Sequence, residues 1–153
     1  MNLGFETGDL SEWVVTSEAD DINVITGDSF VASPYWGDYM AVLGTPGAGG
    51  QPIGDNTIKQ EFFVDFDKLV LAYNLHSNDY GGFDKFMYEV TVVSDGEVLD
   101  TLLLHAGSAD GIWHEVEVDL SAYHGETIEL IVTAGGTSDT LYGTWAYFDM
   151  SIE

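Results

Sequence analysis

The sequence predicts an all-β fold, a sandwich of two antiparallel sheets built from about ten short strands. Three observations carry that reading. No segment sustains a 3.6-residue hydrophobic period, whereas period-2 alternation and short apolar runs recur along the chain. Clusters of Gly, Asp, Asn and Ser interrupt those runs at roughly the 8 to 12-residue spacing of sandwich strands. The chain has 153 residues and is 45% hydrophobic, enough for one domain with a proper core and too short for two large ones.

The elements follow in order. Residues 2–13, NLGFETGDLSEW, are too polar for a leader peptide and too broken by glycine for a helix. They set one apolar ring, Phe5, beside one carboxylate, Glu6. Trp13 to Thr16 reads as a strand, and an acidic turn from Glu18 to Asp21 leads into a second, Ile22 to Ile25. Ser33 to Asp38 is an aromatic loop before a buried strand, Tyr39 to Leu43. Residues 44–56, GTPGAGGQPIGDN, favour neither ladder nor helix; a loop of this length is either a functional surface or an exposed connector.

Thr57 to Val64 alternates Ile58, Gln60, Phe62 and Val64 against Lys59, Glu61 and Phe63. Lys68 to His76 is apolar on both faces over Leu69 to Ala72, which suits a central strand. After the loop Ser77 to Asp84, Lys85 to Val93 puts Phe86, Tyr88, Val90 and Val92 on one side. Ser94-Asp95-Gly96-Glu97 turns a hairpin into Val98 to His105. Ile112 to Leu120 sends Ile112, Val116, Val118 and Leu120 inward, with Trp113, Glu115, Glu117 and Asp119 outward. Glu126 to Ala134 points Ile128, Leu130 and Val132 inward, and Thr144 to Ile152 is the last strand.

Charge narrows the function. There are 27 Asp and Glu against 3 Lys and no Arg, a formal net charge of -24. Phosphate binding needs a basic surface, so nucleic acid is excluded as a partner, and anionic membranes are disfavoured for the same reason. Self-repulsion at this charge costs stability unless salt or bound cations screen it. With no cysteine, disulfides, thiolate metal sites and cysteine nucleophiles are impossible. No apolar run approaches the roughly 18 residues of a membrane span. The start lacks the basic and apolar regions of a signal peptide, and the chain reads as a single domain, 1–153, cut from a longer protein, a short intact protein being the alternative.

Catalytic signatures are missing. With so many carboxylates an Asp/Glu pair follows from composition alone, and no Gly-x-Ser-x-Gly elbow, phosphate loop or dinucleotide fingerprint occurs. His76, His105, His114 and His124 repeat no zinc spacing and read as independent surface histidines, although His105 and His114 flank one hairpin and could approach each other. Sugar binding has better support. Pyranose rings stack on exposed aromatics while nearby polar side chains fix hydroxyls. Tyr35 and Trp36 lie in a Pro/Gly loop and are either a stacking platform or packed on the scaffold; Trp13, Trp113 and Trp145 read as core or sheet-edge packing. The loop Asn78, Asp79, Tyr80, Gly81, Gly82, Phe83, Asp84 either presents Tyr80 and Phe83 to a ligand beside Asn78 and Asp79, cradles a cation, or is solvated.

The opening NLGFETGDLSEW resembles the Asn-x-x-Phe-Glu-x-Gly-x-x-x-x-Trp start of jelly-roll carbohydrate-binding modules. WHEVEVDLSAYHGETIELIVTA and WAYFDMSIE are similar to their closing half. Similar strings occur in meprin-type (MAM) domains, and IKQEFFV through LAYNLHSNDY looks like modules of bacterial or archaeal exported and adhesin proteins. The resemblance implies an all-β, two-sheet antiparallel jelly-roll β-sandwich. It also implies one structural calcium held by the Glu of the Phe-Glu step and the Asp of the final strand, here Glu6 and Asp149, with main-chain carbonyls completing the shell. The final strand reads Phe-Asp-Met where these families more often carry Asp-Asn or Asp-Asp. Asp38 is the third candidate ligand, then Asn2 and Asp9. Terminal strands running side by side would bring positions 6 and 149 together, with Phe5 and Phe148 both inward.

The expected role is non-catalytic binding of a polysaccharide or glycan, with structural calcium, inside a secreted or cell-surface protein next to other domains of its parent. A calcium-rigidified structural or adhesive module with no sugar ligand is the alternative. A small glycan-active enzyme comes third.

Overall fold

The structure is a computed structural model that describes residues 1–16, 21–47, 55–77, 86–94, 96–107, 109–135 and 144–153, without the side chains of 86–89, 102–107 and 144. Ten strands run through the described residues: β1 (Val14–Val15), β2 (Ile22–Ile25), β3 (Met40–Leu43), β4 (Asn56–Phe63), β5 (Lys68–Ser77), β6 (Phe86–Ser94), β7 (Glu97–Gly107), β8 (Trp113–Asp119), β9 (Thr127–Gly135) and β10 (Thr144–Ile152). Each lies where the alternation places it, within a residue or two at either end.

The strands form two antiparallel sheets of five, ordered β1-β4-β9-β6-β7 and β2-β3-β10-β5-β8. Neighbours within a sheet come from distant parts of the chain, with β4 beside β9 and β3 beside β10. This interleaving is that of a jelly roll, with β1 and β2 added at the edges. The core fills the space between the sheets. Ile58 and Phe62 of β4, Ile128, Leu130 and Val132 of β9, and Val90 and Val92 of β6 face Leu69, Leu71 and Leu75 of β5 and Ala146, Phe148 and Met150 of β10.

The middle strands of the second sheet, β3, β5 and β10, are buried on both faces. A second apolar layer, Val31, Met40, Val42, Trp145 and Tyr147, lies outside it. It is covered by the loop between β2 and β3, whose Phe30 and Tyr35 rings pack on Trp145 and Trp113. This explains the run Leu69–Ala72, apolar on both faces and fully buried.

Three expectations need correction. The terminal segments do not pair: β1 joins β4 in the first sheet, while β10 lies between β3 and β5 in the second. Phe5 is not an inward residue of a strand but a turn residue at φ 60. That left-handed conformation costs a non-glycine residue roughly 1–2 kcal/mol. Full burial of the ring contributes about 1.5–3 kcal/mol, and stacking on Trp13 (5.3 Å) adds to it, so packing wins. Finally, Ile112 precedes β8 and is 61% exposed, and His114 takes the inward parity that precedes Val116.

Candidate functional site

The opening turns form a plug at one end of the sandwich. The Asn2 carboxamide donates to Thr7 Oγ1 (2.7 Å) and to the Asp9 and Ser11 carbonyls, and accepts the Thr7 N–H. The Trp13 indole donates to the Asn2 carbonyl at 2.6 Å. Asp9 closes its own turn by accepting from Thr7 Oγ1 and the Ser11 N–H; hydrogen bonding from the Ser11 side chain and backbone, then from Thr7, holds its carboxyl below the ordinary range. The side chains of Asn2 and Asp9 therefore help to fold the plug. Gly4 is needed because a Cβ there would meet the Met150 carbonyl at 2.8 Å.

This plug delivers Glu6 to the aromatic loop. The Glu6 carboxylate accepts the N–H groups of Asp38 (3.1 Å) and Tyr39 (3.2 Å). Asp149 grips the same segment from β10: its Oδ2 accepts the Trp36 N–H and its Oδ1 the Met150 N–H, each at 2.8 Å. Gly37 (φ 60) passes between them, where a Cβ would lie 2.4 Å from Glu6 Oε1. The two carboxylates thus converge through a loop rather than through paired strands. A cavity of ≈ 350 Å³ opens here, lined by Gly4, Glu6, Trp36, Gly37, Asp149 and Ser151 among others.

Asp149 is 0% exposed. Burial pushes its carboxyl up to about 6; the backbone N–H groups of Trp36 and Met150 oppose the rise, and the charge of Glu6 adds to it. Among the described residues, the ion pairs made by Met1, Lys59, Lys68 and His114 all go to other carboxylates. A buried carboxylate beside a second one, with no cation supplied by these pairs, calls for a proton or a bound cation. Asp38 contributes its backbone N–H to Glu6 while its side chain is exposed. No group of three or more Asp, Glu or His poised for a metal occurs among the described residues, so any cation shell here would draw on main-chain oxygens.

The aromatic loop also shapes the outer face of the second sheet. Tyr35 is 39% exposed, its ring 4.5 Å from Trp36 and 5.2 Å from Trp113, and its hydroxyl donates to Glu115 Oε2 at 2.9 Å. Tyr35 is thus packed against β8 and still open to solvent, with Trp36 half-buried beside it. Further along, Phe30 stands edge-on to Trp145 (5.0 Å) and His76 (6.0 Å). Asp28 anchors this stretch by accepting the N–H groups of Phe30 and Val31 and the Tyr147 hydroxyl, the last at 2.5 Å.

The remaining candidates separate. Asn78, Asp79, Tyr80 and Phe83 lie outside the described residues, as does most of the 44–56 loop. The side chain of His105 does too, so its pairing with His114 falls outside the description. His114 binds Asp110 at 2.7 Å and stacks on Tyr73. Asn74, His76 and Trp145 are polar groups of the covered face; Trp145 packs there as expected, whereas Asn74 and His76 carried no site expectation. The available signal was an Asn and a His at alternating positions within a run otherwise apolar on both faces.

Solved structures share this architecture. A family 61 carbohydrate-binding module in complex with β-1,4-galactotriose aligns at TM-score 0.66 and 18% identity, over 99% of this chain and 96% of that one. The K1 cleaved adhesin domain of Lys-gingipain from Porphyromonas gingivalis W83 aligns at TM-score 0.61 and 15% identity, over 98% and 96%. A carbohydrate-binding module of the β-sandwich superfamily, described for promiscuous specificity, aligns at TM-score 0.61 and 12% identity, over 99% of this chain and 60% of that one. No family model matches the sequence, and the search of curated proteins returned no match. The chain therefore has the β-sandwich fold of carbohydrate-binding modules, and at these identities the likeness is one of fold.

Proposed function

We propose that this chain is a non-catalytic carbohydrate-binding module, stabilised by calcium, that works within a secreted or cell-surface protein. One observation carries the proposal: the Tyr35–Trp36 loop and Trp113 form a half-exposed aromatic surface bordered by Glu115. Aromatic faces stack on the C–H faces of sugars, and a carboxylate beside them accepts hydroxyl hydrogen bonds. The sandwich fold shared with carbohydrate-binding modules supports the same reading.

The calcium proposal rests on Asp149. Calcium accepts about 6 to 8 oxygens in flexible geometry, and a carboxylate has roughly four lone-pair sites, so the N–H contacts of Glu6 and Asp149 leave room for a cation. Glu6 and Asp149 would hold the ion with main-chain carbonyls of the adjoining turns. Its role is to neutralise the two carboxylates and tie the plug and the aromatic loop to β10. No helix of the described residues is long and apolar enough to cross a membrane.

A glycan array probed in calcium tests the proposal, with β-1,4-galactotriose as the first soluble probe because a structural neighbour is bound to it. Binding to at least one neutral glycan, lost in Trp36→Ala with an unchanged melting temperature, is the expected result. The backbone N–H that Trp36 gives Asp149 survives that substitution. The adhesive reading draws on the likeness to a cleaved adhesin domain. Array silence together with a calcium-raised melting temperature would select it instead.

A further inference from the structure

We propose that the outer face of the second sheet carries a glycan subsite, with Asn74, His76 and Trp145 as its polar floor and Phe30 as its cap, and that it takes neutral hydroxyl-bearing rings and rejects anionic ones. The proposal deepens the carbohydrate-binding reading and rests on it.

The pairing register builds the floor. Trp145 of β10 stands directly opposite His76 of β5, and Asn74, two residues along, stands opposite Tyr147 on one side and Trp113 on the other. The His76 and Trp145 rings are stacked, their centroids 5.2 Å apart and their planes 11° from parallel. Asn74 Oδ1, His76 Nε2 and Trp145 Nε1 are all buried without a hydrogen-bond partner. The fourth such atom among the described residues, Gln60 Nε2, is on β4 in the other sheet. Trp145 Nε1 lies near enough to Tyr147 to favour its phenolate slightly, but closes no hydrogen bond. Unmet buried polar atoms are uncommon and costly, and three at adjoining positions of one face match what a ligand would complete.

The set of groups defines the ligand. Asn74 Oδ1 only accepts and the indole N–H only donates. Burial holds His76 below its ordinary range, hence neutral at pH 7, with one ring nitrogen donating and the other accepting. A hydroxyl both donates and accepts, so sugar hydroxyls satisfy an acceptor and a donor side by side. A carboxylate or sulfate can only accept, and would confront Asn74 Oδ1. Anions are opposed a second time by Asp28 and Asp110, whose charges reach His76, and by Glu115 at the Tyr35 edge. Phe30 is 45% exposed over this floor. Phe30 packs edge-on to Trp145 and His76, so a ligand reaching the floor must displace this part-exposed ring, which then offers an aromatic wall for the C–H face of a sugar.

The test is a titration of the full 15N-labelled chain, saturated with calcium, followed through its tryptophan indole N–H signals. The probes are neutral trisaccharides of glucose, galactose, mannose and xylose, with trigalacturonate as the anionic arm. A saturable shift of the Trp145 indole with a neutral sugar, and none with trigalacturonate, is expected. His76→Phe keeps a ring on Trp145 but removes Nε2, and should weaken that sugar about tenfold, the loss of one hydrogen bond. If a neutral sugar moves the Trp36 or Trp113 indole while Trp145 stays still and His76→Phe binds normally, the subsite is overturned and the carbohydrate reading stands. If no sugar moves any indole, the carbohydrate reading fails and the subsite with it. Equal affinity for trigalacturonate overturns the claimed selectivity. The Trp145 signal is read in the unmutated chain, so the outcome does not depend on the variant folding.

Discussion

Asp149 is held where a carboxylate resists being. Burial lifts its carboxyl from 3.8 to about 6, while the Trp36 and Met150 N–H groups hold it in place. The direction of the linkage follows. Between about pH 4 and pH 6 the folded chain keeps a proton that the unfolded chain has released, so without a cation stability falls as pH rises through that window. A shift of this size corresponds to on the order of 3 kcal/mol. In EDTA, urea unfolding at several pH values should show the wild type losing that amount relative to Asp149→Asn between about pH 3.5 and pH 7. Saturating calcium should abolish the relative loss, because the ion takes the place of the proton. A wild-type-minus-variant difference that stays flat with pH would mean that Asp149 ionises as it does in the unfolded chain. The same residue shows what sequence can and cannot reveal. The string FDM marks a carboxylate in the last strand, but only the fold shows it pointing away from the core and still buried.

What covers Asp149 and the outer face is an element of a different kind from the strands. The strands were legible because burying one face of a sheet imposes period 2, and β5 and β10 because burying both faces removes it. The loop between β2 and β3 has no such constraint. It is fastened by individual contacts: Asp28 to Tyr147, Tyr35 to Glu115 and Trp36 to Asp149. Its aromatics were legible, but not the face they fold onto, since no local pattern encodes contacts 80 to 119 residues away in sequence. The plug was misread for a related reason. Phe5-Glu6 looks like one step of strand alternation, whereas the chain turns there through a left-handed residue and Glu6 reaches the loop directly. Individual contacts make the loop sensitive to single substitutions. Asp28→Ala removes three hydrogen bonds and strands the buried Tyr147 hydroxyl, so a loss of about 2–3 kcal/mol in urea unfolding is expected. Tyr147→Phe removes both the hydroxyl and its need for a partner, and should cost only about 1 kcal/mol. Equal losses in the two variants would show that Asp28 does not anchor the loop.

Across the whole molecule a charge of -24 is balanced by few fixed cations. Lys59 pairs with Glu129 at 3.6 Å and Lys68 with Glu117 at 2.9 Å, both half-exposed contacts that contribute little. The two sheets must therefore hold together against their own surface, and two kinds of cation can help in separable ways. Sodium chloride screens all the carboxylates together, with a Debye length near 30 Å at about 0.01 M and 3 Å at about 1 M. The melting temperature in EDTA should climb gradually across that range without saturating. Calcium at the Glu6–Asp149 site should instead give a saturable rise, about 2.7 kcal/mol at roughly a hundredfold excess over its dissociation constant. For a chain of this length that is on the order of 5–10 °C. Glu6→Gln separates the two effects. It removes one charge of the many that salt screens, so the sodium chloride response should survive almost unchanged, while the calcium response disappears with the ligand. A full calcium rise in Glu6→Gln would mean that calcium acts as a diffuse counterion. In that case protein contacts without an ion, the N–H bonds of Glu6 and Asp149 among them, would hold the plug and the aromatic loop to β10.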